Sequence, residues 1–376
     1  MRDVYIVADN ILSPLGVTTT ENFEQLKNGV SGIKKVDDKA LASSPVYAAT
    51  FVNRHLFDFD EQKYTFFEQL LISSISTVLE GSDIVTGNKK TGLIISSTKG
   101  NISLLETEPN NENLRTRVAL STSAKLVQQY FGFVNEPIVV SNACISGIMA
   151  ILTGMRLIQS GQYENVVVAG ADIITKFILS GFQSFNAVSY VPCKPFDINR
   201  AGITLGEGAA TVILSSKSKS NSRIKVSGGA ISNDANHISA PSRTGEELGY
   251  AIKKAMSLAV VRADEIDFIS AHGTATDYND EMEAKAISFA GLEKVPTNSL
   301  KGYFGHTLGA AGLIESIIAI QSLKENLFIP TLGFEQLGVS TPVNINKTLL
   351  AGNFKTCVKT ASGFGGCNGA LVFVKE

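Results

Sequence analysis

Three observations on this 376-residue chain predict an α/β fold assembled from two similar halves. Short runs rich in Val and Ile alternate with longer segments of helical period along the whole length, the pattern of sheets covered on both faces. The order of these patterns repeats on either side of a Ser/Lys-rich joint. In each half, late in the series, a strand feeds a glycine-containing turn that opens a long helix. At 44% hydrophobic and 18% charged residues, the composition is that of a globular chain rather than a disordered one. A chain this long buries roughly three quarters of its unfolded surface, so it needs no covalent staples.

The candidate strands before the joint are VYIVAD (4–9), GLIIS (92–96), PIVVS (137–141), NVVVAG (165–170) and ATVILS (210–215). After SKSKSNS (216–222) come KVSGGAI (225–231), IDFIS (266–270) and ALVFV (370–374). RDVYIVADNILS opens the first half and RIKVSGGAISND the second. The strand–turn–helix tracts are IVVSNACISGIMAILTGMRLIQSG (138–161) and FGHTLGAAGLIESIIAIQSLKENL (304–327). This places the boundary between residues 1–218 and 219–376. The likeness is one of pattern rather than residue identity, so two unrelated α/β domains stay open as an alternative.

A net charge of −2 lacks the electrostatic footprint of a nucleic-acid binder, and no nucleic-acid partner is expected. No stretch reaches the ~18 apolar residues of a membrane span. The opening MRDVYIVADNILSPLG is broken by Asp3 and Asp9 and lacks a small-residue cleavage site, so it does not read as a signal peptide. Cys144, Cys193, Cys357 and Cys367 form no CxxC pair and no zinc spacing, which fits a reducing, cytoplasmic compartment and predicts no metal centre. GxSxG, GxxxxGK[ST] and HExxH are absent, and GEGAAT (206–211) fails the last position of GxGxxG.

Cys144 stands where a strand ends and a helix begins. A thiol there faces unsatisfied N–H groups and the positive end of the helix dipole, which favour thiolate, and the same turn offers N–H groups to an oxyanion. A free cysteine is also among the most buried residue types, so position alone leaves a packing role open. Of the four histidines, His272 follows the strand IDFIS and His306 precedes a helix, five residues after Lys301. Ligands of α/β sheets gather at such strand ends. His55 and His237 read as structural. The turn in SGFGGCNGALVFV (362–374) permits close backbone approach, to a ligand or to another strand.

These residues are similar to the motifs of the β-ketoacyl-acyl-carrier-protein synthases, the Cys–His–His condensing enzymes of the thiolase superfamily. Seven ordered stretches carry the resemblance: ENFEQLKNGVSGI (21–33), NACISG (142–147), CKPFDINRAGITLGEGAA (193–210), NDANHISAP (233–241), AHGTATDYNDEMEAKAI (271–287), KGYFGHTLGAAGLIE (301–315) and GFGGCN (363–368). The resemblance implies a thiolase-like fold of two similar halves in five layers, α-β-α-β-α. It implies an acyltransferase that condenses an enzyme-bound acyl thioester with malonyl-acyl-carrier protein, with loss of carbon dioxide, to give 3-oxoacyl-carrier protein. No separate cofactor is implied, because the substrates ride on the phosphopantetheine of acyl carrier protein. The implied partners are that carrier and a second synthase subunit, identical or related.

By the same resemblance Cys144 is the nucleophile, and the backbone N–H groups of Cys144 and Phe364 form an oxyanion hole, with Phe364 gating the acyl pocket. His272 and His306 stabilise the enolate of decarboxylation, Lys301 orients the pair, and Glu315 holds the lysine. Thr274 and Thr276 line the pantetheine channel. Two other functions are weighed: a non-elongating partner of the chain-length-factor type, against which Cys144 argues, and a non-decarboxylating thiolase, whose second cysteine would be Cys357 or Cys367. Departures from the family pattern are Asp9 and Asn10 in place of glycines, Ala201 after Arg200, Ser362 in place of an aromatic residue, and a shortened stretch between Gly100 and Pro137. They leave the catalytic set intact and bear on acyl length and gating. They lean toward a divergent synthase of a specialised lipid or polyene pathway.

Overall fold

The apolar runs become strands of one ten-stranded sheet in the computed structural model, which describes residues 2–54, 58–218, 223–235 and 240–376. His55, His237 and residues 219–222, at the expected boundary, lie outside the described residues. The strands are β1 (Tyr5–Leu12), β2 (Thr91–Ser96), β3 (Ile138–Val140), β4 (Asn165–Asp172), β5 (Gly208–Ser215), β6 (Ile224–Asn233), β7 (Phe268–Ser270), β8 (Thr297–Asn298), β9 (Thr356–Gly363) and β10 (Cys367–Lys375). Their order across the sheet is β8-β7-β9-β10-β6-β1-β5-β4-β2-β3.

Read outward from the β6–β1 junction, the first half runs 1-5-4-2-3 and the second 6-10-9-7-8, the same order displaced by five. The strand senses repeat as well. The two inner pairs of each half are antiparallel and the two outer pairs parallel. The duplication legible as pattern is therefore a duplication of topology. β1 and β6 join the halves through a short antiparallel seam, Tyr5 opposite Lys225 and Ile6 opposite Ile224.

The longer helices are α1 (Thr19–Lys27), α2 (Phe66–Glu80), α3 (Leu120–Phe131), α4 (Ser146–Gln159), α5 (Lys176–Ser184), α6 (Glu246–Ala259), α7 (Asp277–Phe289) and α8 (Ala311–Glu325). Successive strand residues serve opposite faces. Leu93, Ile95 and Val167 pack with Phe67, Leu70 and Val127 of α2 and α3, whereas Ile94 and Val168 face α4 and α8. In the second half Val358 and Val372 meet α6 and α7, while Cys357, Leu371 and Phe373 face inward. The layers are thus α2/α3, first half-sheet, α4/α8, second half-sheet, α6/α7. Twelve of the fifteen residues of α8 are buried, so this helix is enclosed on every side instead of carrying one apolar stripe.

Two sheet members are unexpected, the two-residue β8 and the longer β9. β9, TCVKTASG, has Lys359 at its centre and small polar neighbours, so it shows neither an apolar run nor clean alternation. It is nonetheless buried from Thr356 to Ser362, and Lys359 has no exposure to solvent.

α4 and α8 cross with almost no side chain between them. A Cβ at Gly147 would lie 2.5 Å from the backbone nitrogen of Leu313, and one at Gly312 would lie 3.0 Å from that of Ile148. Because α4 follows Cys144 and α8 follows His306, this crossing sets the distance between the two. Gly147→Ala should force the helices apart and cost about 1–3 kcal/mol of stability. The expected reading is a lower urea midpoint with an unchanged denaturant slope.

Candidate active site

The turn that carries Cys144 is held by local polar bonds. Ala143 adopts a positive φ of 43°, the Asn142 amide donates to the Ser146 hydroxyl (2.8 Å), and that hydroxyl donates to the Ala143 carbonyl (2.7 Å). The geometry leaves Cys144 7% exposed at the start of α4. Across from it the GFGG turn approaches backbone to backbone. A Cβ at Gly363 would meet the Cys144 nitrogen at 2.8 Å and the Cys367 sulfur at 2.9 Å. The Phe364 N–H on this turn acts to favour the Cys144 thiolate.

His272 and His306 arrive from the second half. Beyond β7, the amides of His272 and Gly273 donate to the Glu283 carboxylate (2.8 and 2.7 Å), and that of Thr274 donates to Asp280 (2.8 Å). Both acids are buried on α7, so the tract after His272 is tied down by the helix that follows it. The His306 amide donates to the Thr204 carbonyl (2.6 Å), and the Gly206 amide donates to the His306 carbonyl (3.0 Å). A Cβ at Gly206 would sit 1.9 Å from the Phe304 carbonyl oxygen, which accounts for glycine in GEGAA. Sequence reading passed over Asp280 and Glu283. Their signal was an acidic pair three residues apart, one turn into the helix after a histidine.

The three reactive groups converge. His306 Nε2 is 3.1 Å from the Cys144 sulfur, and the two imidazole centroids are 5.1 Å apart, nearly perpendicular. The Leu308 amide donates to His306 Nδ1 (3.2 Å), an orientation reached through a positive φ of 51° at Leu308. The Lys301 ammonium lies 3.4 Å from His272 Nδ1 and donates to the His272 carbonyl (3.0 Å). Each Nδ1 therefore faces a donor, which puts the ring proton on Nε2 in both neutral imidazoles. Burial and the Lys301 charge hold both histidines well below the usual imidazole range.

A sulfur and two imidazole nitrogens within 4.8 Å of one another have the spacing of a metal site. The partners on Nδ1 oppose that use, because an imidazole that accepts at Nδ1 keeps its proton on Nε2 and has no lone pair left there for a metal.

Lys301 and Glu315 pair at contact distance, both buried. Cys144 departs from one expectation. Burial pushes its thiol up to about 12, against the Lys301 charge and the Phe364 N–H, which favour thiolate. Cys367 bonds toward the Asn142 and Phe364 carbonyls beneath the nucleophile turn, and Cys357 is enclosed in the core.

Cys144 opens onto two cavities. One of about 320 Å³ is lined by His272, His306, Thr274, Thr276 and Ser362, and the Thr274 and Thr276 hydroxyls touch at 2.9 Å on its wall. The other, about 280 Å³, is bounded by Thr98, Ser141, Phe177, Ile178 and Leu308. Phe182, Phe185 and Phe364 border both, with Phe364 stacked on Phe182 and edge-on to Phe185, each at 5.4 Å.

Two family models cover most of the chain: Beta-ketoacyl synthase, N-terminal domain, on residues 1–220, and Beta-ketoacyl synthase, C-terminal domain, on residues 224–335. The chain belongs to the beta-ketoacyl synthase family. The synthase is 28% identical to a 3-oxoacyl-[acyl-carrier-protein] synthase 2 of Vibrio cholerae, over 99% of both chains. It is 26% identical to a putative mitochondrial 3-oxoacyl-[acyl-carrier-protein] synthase of Schizosaccharomyces pombe, over 100% of this chain and 99% of that one. In fold it is similar to the ketosynthase ApeO, solved in complex with its chain length factor ApeC from Xenorhabdus doucetiae (TM-score 0.89, 24% identity, 100% and 98% of the chains). A beta-ketoacyl synthase from Burkholderia phymatum is similar over the full length of both chains (TM-score 0.90, 24% identity). The expected thiolase-like architecture and the condensing-enzyme family are both borne out.

Nitrogen NMR of histidine-labelled synthase should show His272 and His306 as neutral, Nε2-protonated rings at pH 6.0. An imidazolium signal from either ring at that pH would contradict the assignment.

Proposed function

We propose that the synthase elongates acyl groups by decarboxylative Claisen condensation on acyl carrier protein, with Cys144, His272 and His306 as its catalytic residues. The observation that carries this reading is the meeting of one thiol, which borders both cavities, with two Nε2–H donors on the wall of the larger one. In the first half-reaction Cys144 attacks the acyl thioester. The acyl carbon leaves the pantetheine sulfur for the Cys144 sulfur, and the thiol proton ends on the departing thiol. The amides of Cys144 and Phe364 stabilise the tetrahedral oxyanion.

Malonyl thioester then enters the larger cavity, its pantetheine passing Thr274 and Thr276. Breaking the carboxyl C–C bond releases carbon dioxide and leaves negative charge on the thioester oxygen. Two neutral imidazoles with Nε2–H turned to that oxygen lower the barrier without a metal. The carbanion attacks the acyl-enzyme carbonyl, the bond to Cys144 breaks, and the sulfur takes up a proton. The smaller, largely apolar cavity holds the acyl chain, and the stacked Phe364 separates it from the malonyl side. Lys301 acts through His272 as a positioning residue, with Glu315 fixing its ammonium.

The partners under this reading are acyl carrier protein and a second synthase subunit. β3 closes one end of the sheet with a half-buried strand, and pairing there would extend the sheet into the second subunit.

The test is intact-protein mass after incubation with acyl-carrier-protein thioesters, alongside release of labelled carbon dioxide from malonyl-carrier protein. Wild type should gain one acyl group, and Cys144→Ala none. His272→Ala and His306→Ala should still acylate but lose about 10²–10³-fold of the carbon dioxide release. An acyl adduct on Cys144→Ala, or undiminished decarboxylation without either imidazole, would refute the assignment.

A further inference from the structure

Lys359 is a fully buried ammonium at the centre of β9, with no part in the chemistry described so far. Burying such a charge is costly unless it is paired and hydrogen-bonded. Its Nζ lies 2.7 Å from Glu315 Oε2, while Lys301 holds Oε1 of the same carboxylate. The Lys359 Nζ also donates to the carbonyls of Ser270 (3.1 Å), Ala271 (3.2 Å) and Thr360 (2.7 Å). Lys301 donates to the next carbonyl in that series, His272. Two ammonium groups thus straddle one carboxylate and together hold three consecutive carbonyls at the exit of β7, the last of them belonging to a catalytic histidine.

We infer that Lys359 is a positioning residue for decarboxylation, a second cation that fixes Glu315 and the β7 exit. This rests on the condensing function proposed above. A single lysine on Glu315 would leave its other oxygen unpaired in the core and free to draw Lys301 away from His272 Nδ1. With Lys359 present, each carboxylate oxygen has an ammonium at ion-pair distance, and Lys301 remains within reach of the ring.

The charge acts as well as the contacts. The groups that face His272 are Lys301 from the turn before His306, His306 itself, Cys144 from the α4 turn, Glu283 from α7 on its backbone, and Lys359 from β9. His306 faces Cys144 and His272 and feels the same two lysines. Two cations near a pair of imidazoles disfavour imidazolium, and an imidazolium at either position would bring a formal charge where the mechanism uses a neutral donor. The burial that lowers the Lys359 pKa is opposed by Glu315, the partner that holds it as ammonium.

The experiment measures labelled carbon dioxide release from malonyl-carrier protein between pH 5 and 9, with Cys144 acylation followed by intact mass, for wild type, Lys359→Met and Lys359→Arg. Lys359→Met should acylate as wild type does, lose about tenfold in decarboxylation, and move the acidic limb of the rate profile upward by about one pH unit. Lys359→Arg, which keeps the charge but not the fit, should hold the limb at the wild-type pH with a reduced rate. A Lys359→Met profile with limb and rate unchanged would overturn the inference, as would a limb displaced in Lys359→Arg; the arginine variant decides alone if the methionine variant does not fold. Absence of acylation in wild type would instead count against the condensing function itself.

Discussion

The backbone contact between α4 and α8 is the constraint on which the site depends. α4 begins just after Cys144 and α8 a few residues after His306, and they touch where a Cβ would lie 2.5 Å (Gly147) or 3.0 Å (Gly312) from a facing backbone nitrogen. A thiol and an imidazole from segments 162 residues apart are thereby set at hydrogen-bond distance by main-chain packing rather than by side-chain contacts that could relax. The GFGG turn is placed by the same device, since Gly363 brings its backbone against the Cys144 amide. Close-packed backbone at three sides of one sulfur gives the preorganisation that transition-state stabilisation requires.

Around that frame the electrostatics serve one end, which is donors without charge. Leu308 and Lys301 occupy the Nδ1 atoms, burial and the lysines disfavour imidazolium, and burial pushes the Cys144 thiol up. The carboxylates are spent on backbone. Asp172 accepts from Ser97, Thr98 and Gly309, and Glu283 and Asp280 accept from the amides after β7. No carboxylate oxygen of these three is hydrogen-bonded to the reacting groups, so negative charge near the developing enolate is confined behind the chain.

What could be read from the sequence followed from chemistry that leaves a local signature. Cys144, His272, Lys301 and His306 stood at element ends beside glycine, and the structure brings them together with the Glu315 that the family resemblance attached to Lys301. Strands of Val and Ile were legible because they are enclosed on both faces. β9 was not, because Lys359 breaks its apolar pattern and only long-range pairing with Glu315 makes that burial tolerable. Asp280 and Glu283 looked like the solvated face of a helix until the fold turned them toward backbone amides. The upward push on the Cys144 thiol was hidden for a comparable reason: the helix start is a local feature, whereas burial is set by the fold around it.

The repeated topology makes the chain an internal pseudo-dimer whose two copies have been assigned different work. α4 and α8 occupy equivalent places in the repeats, so Cys144 and His306 stand just before corresponding helices. The exits of β2 and β7 correspond in the same way, one contributing Thr98 to the smaller cavity and the other contributing His272 and Thr274 to the larger. The corresponding exits thus line two different cavities that share the Cys144 sulfur. Neither repeat possesses the whole constellation, since Cys144 comes from the first and His272 and His306 from the second, and one topology used twice yields two cavities of different lining.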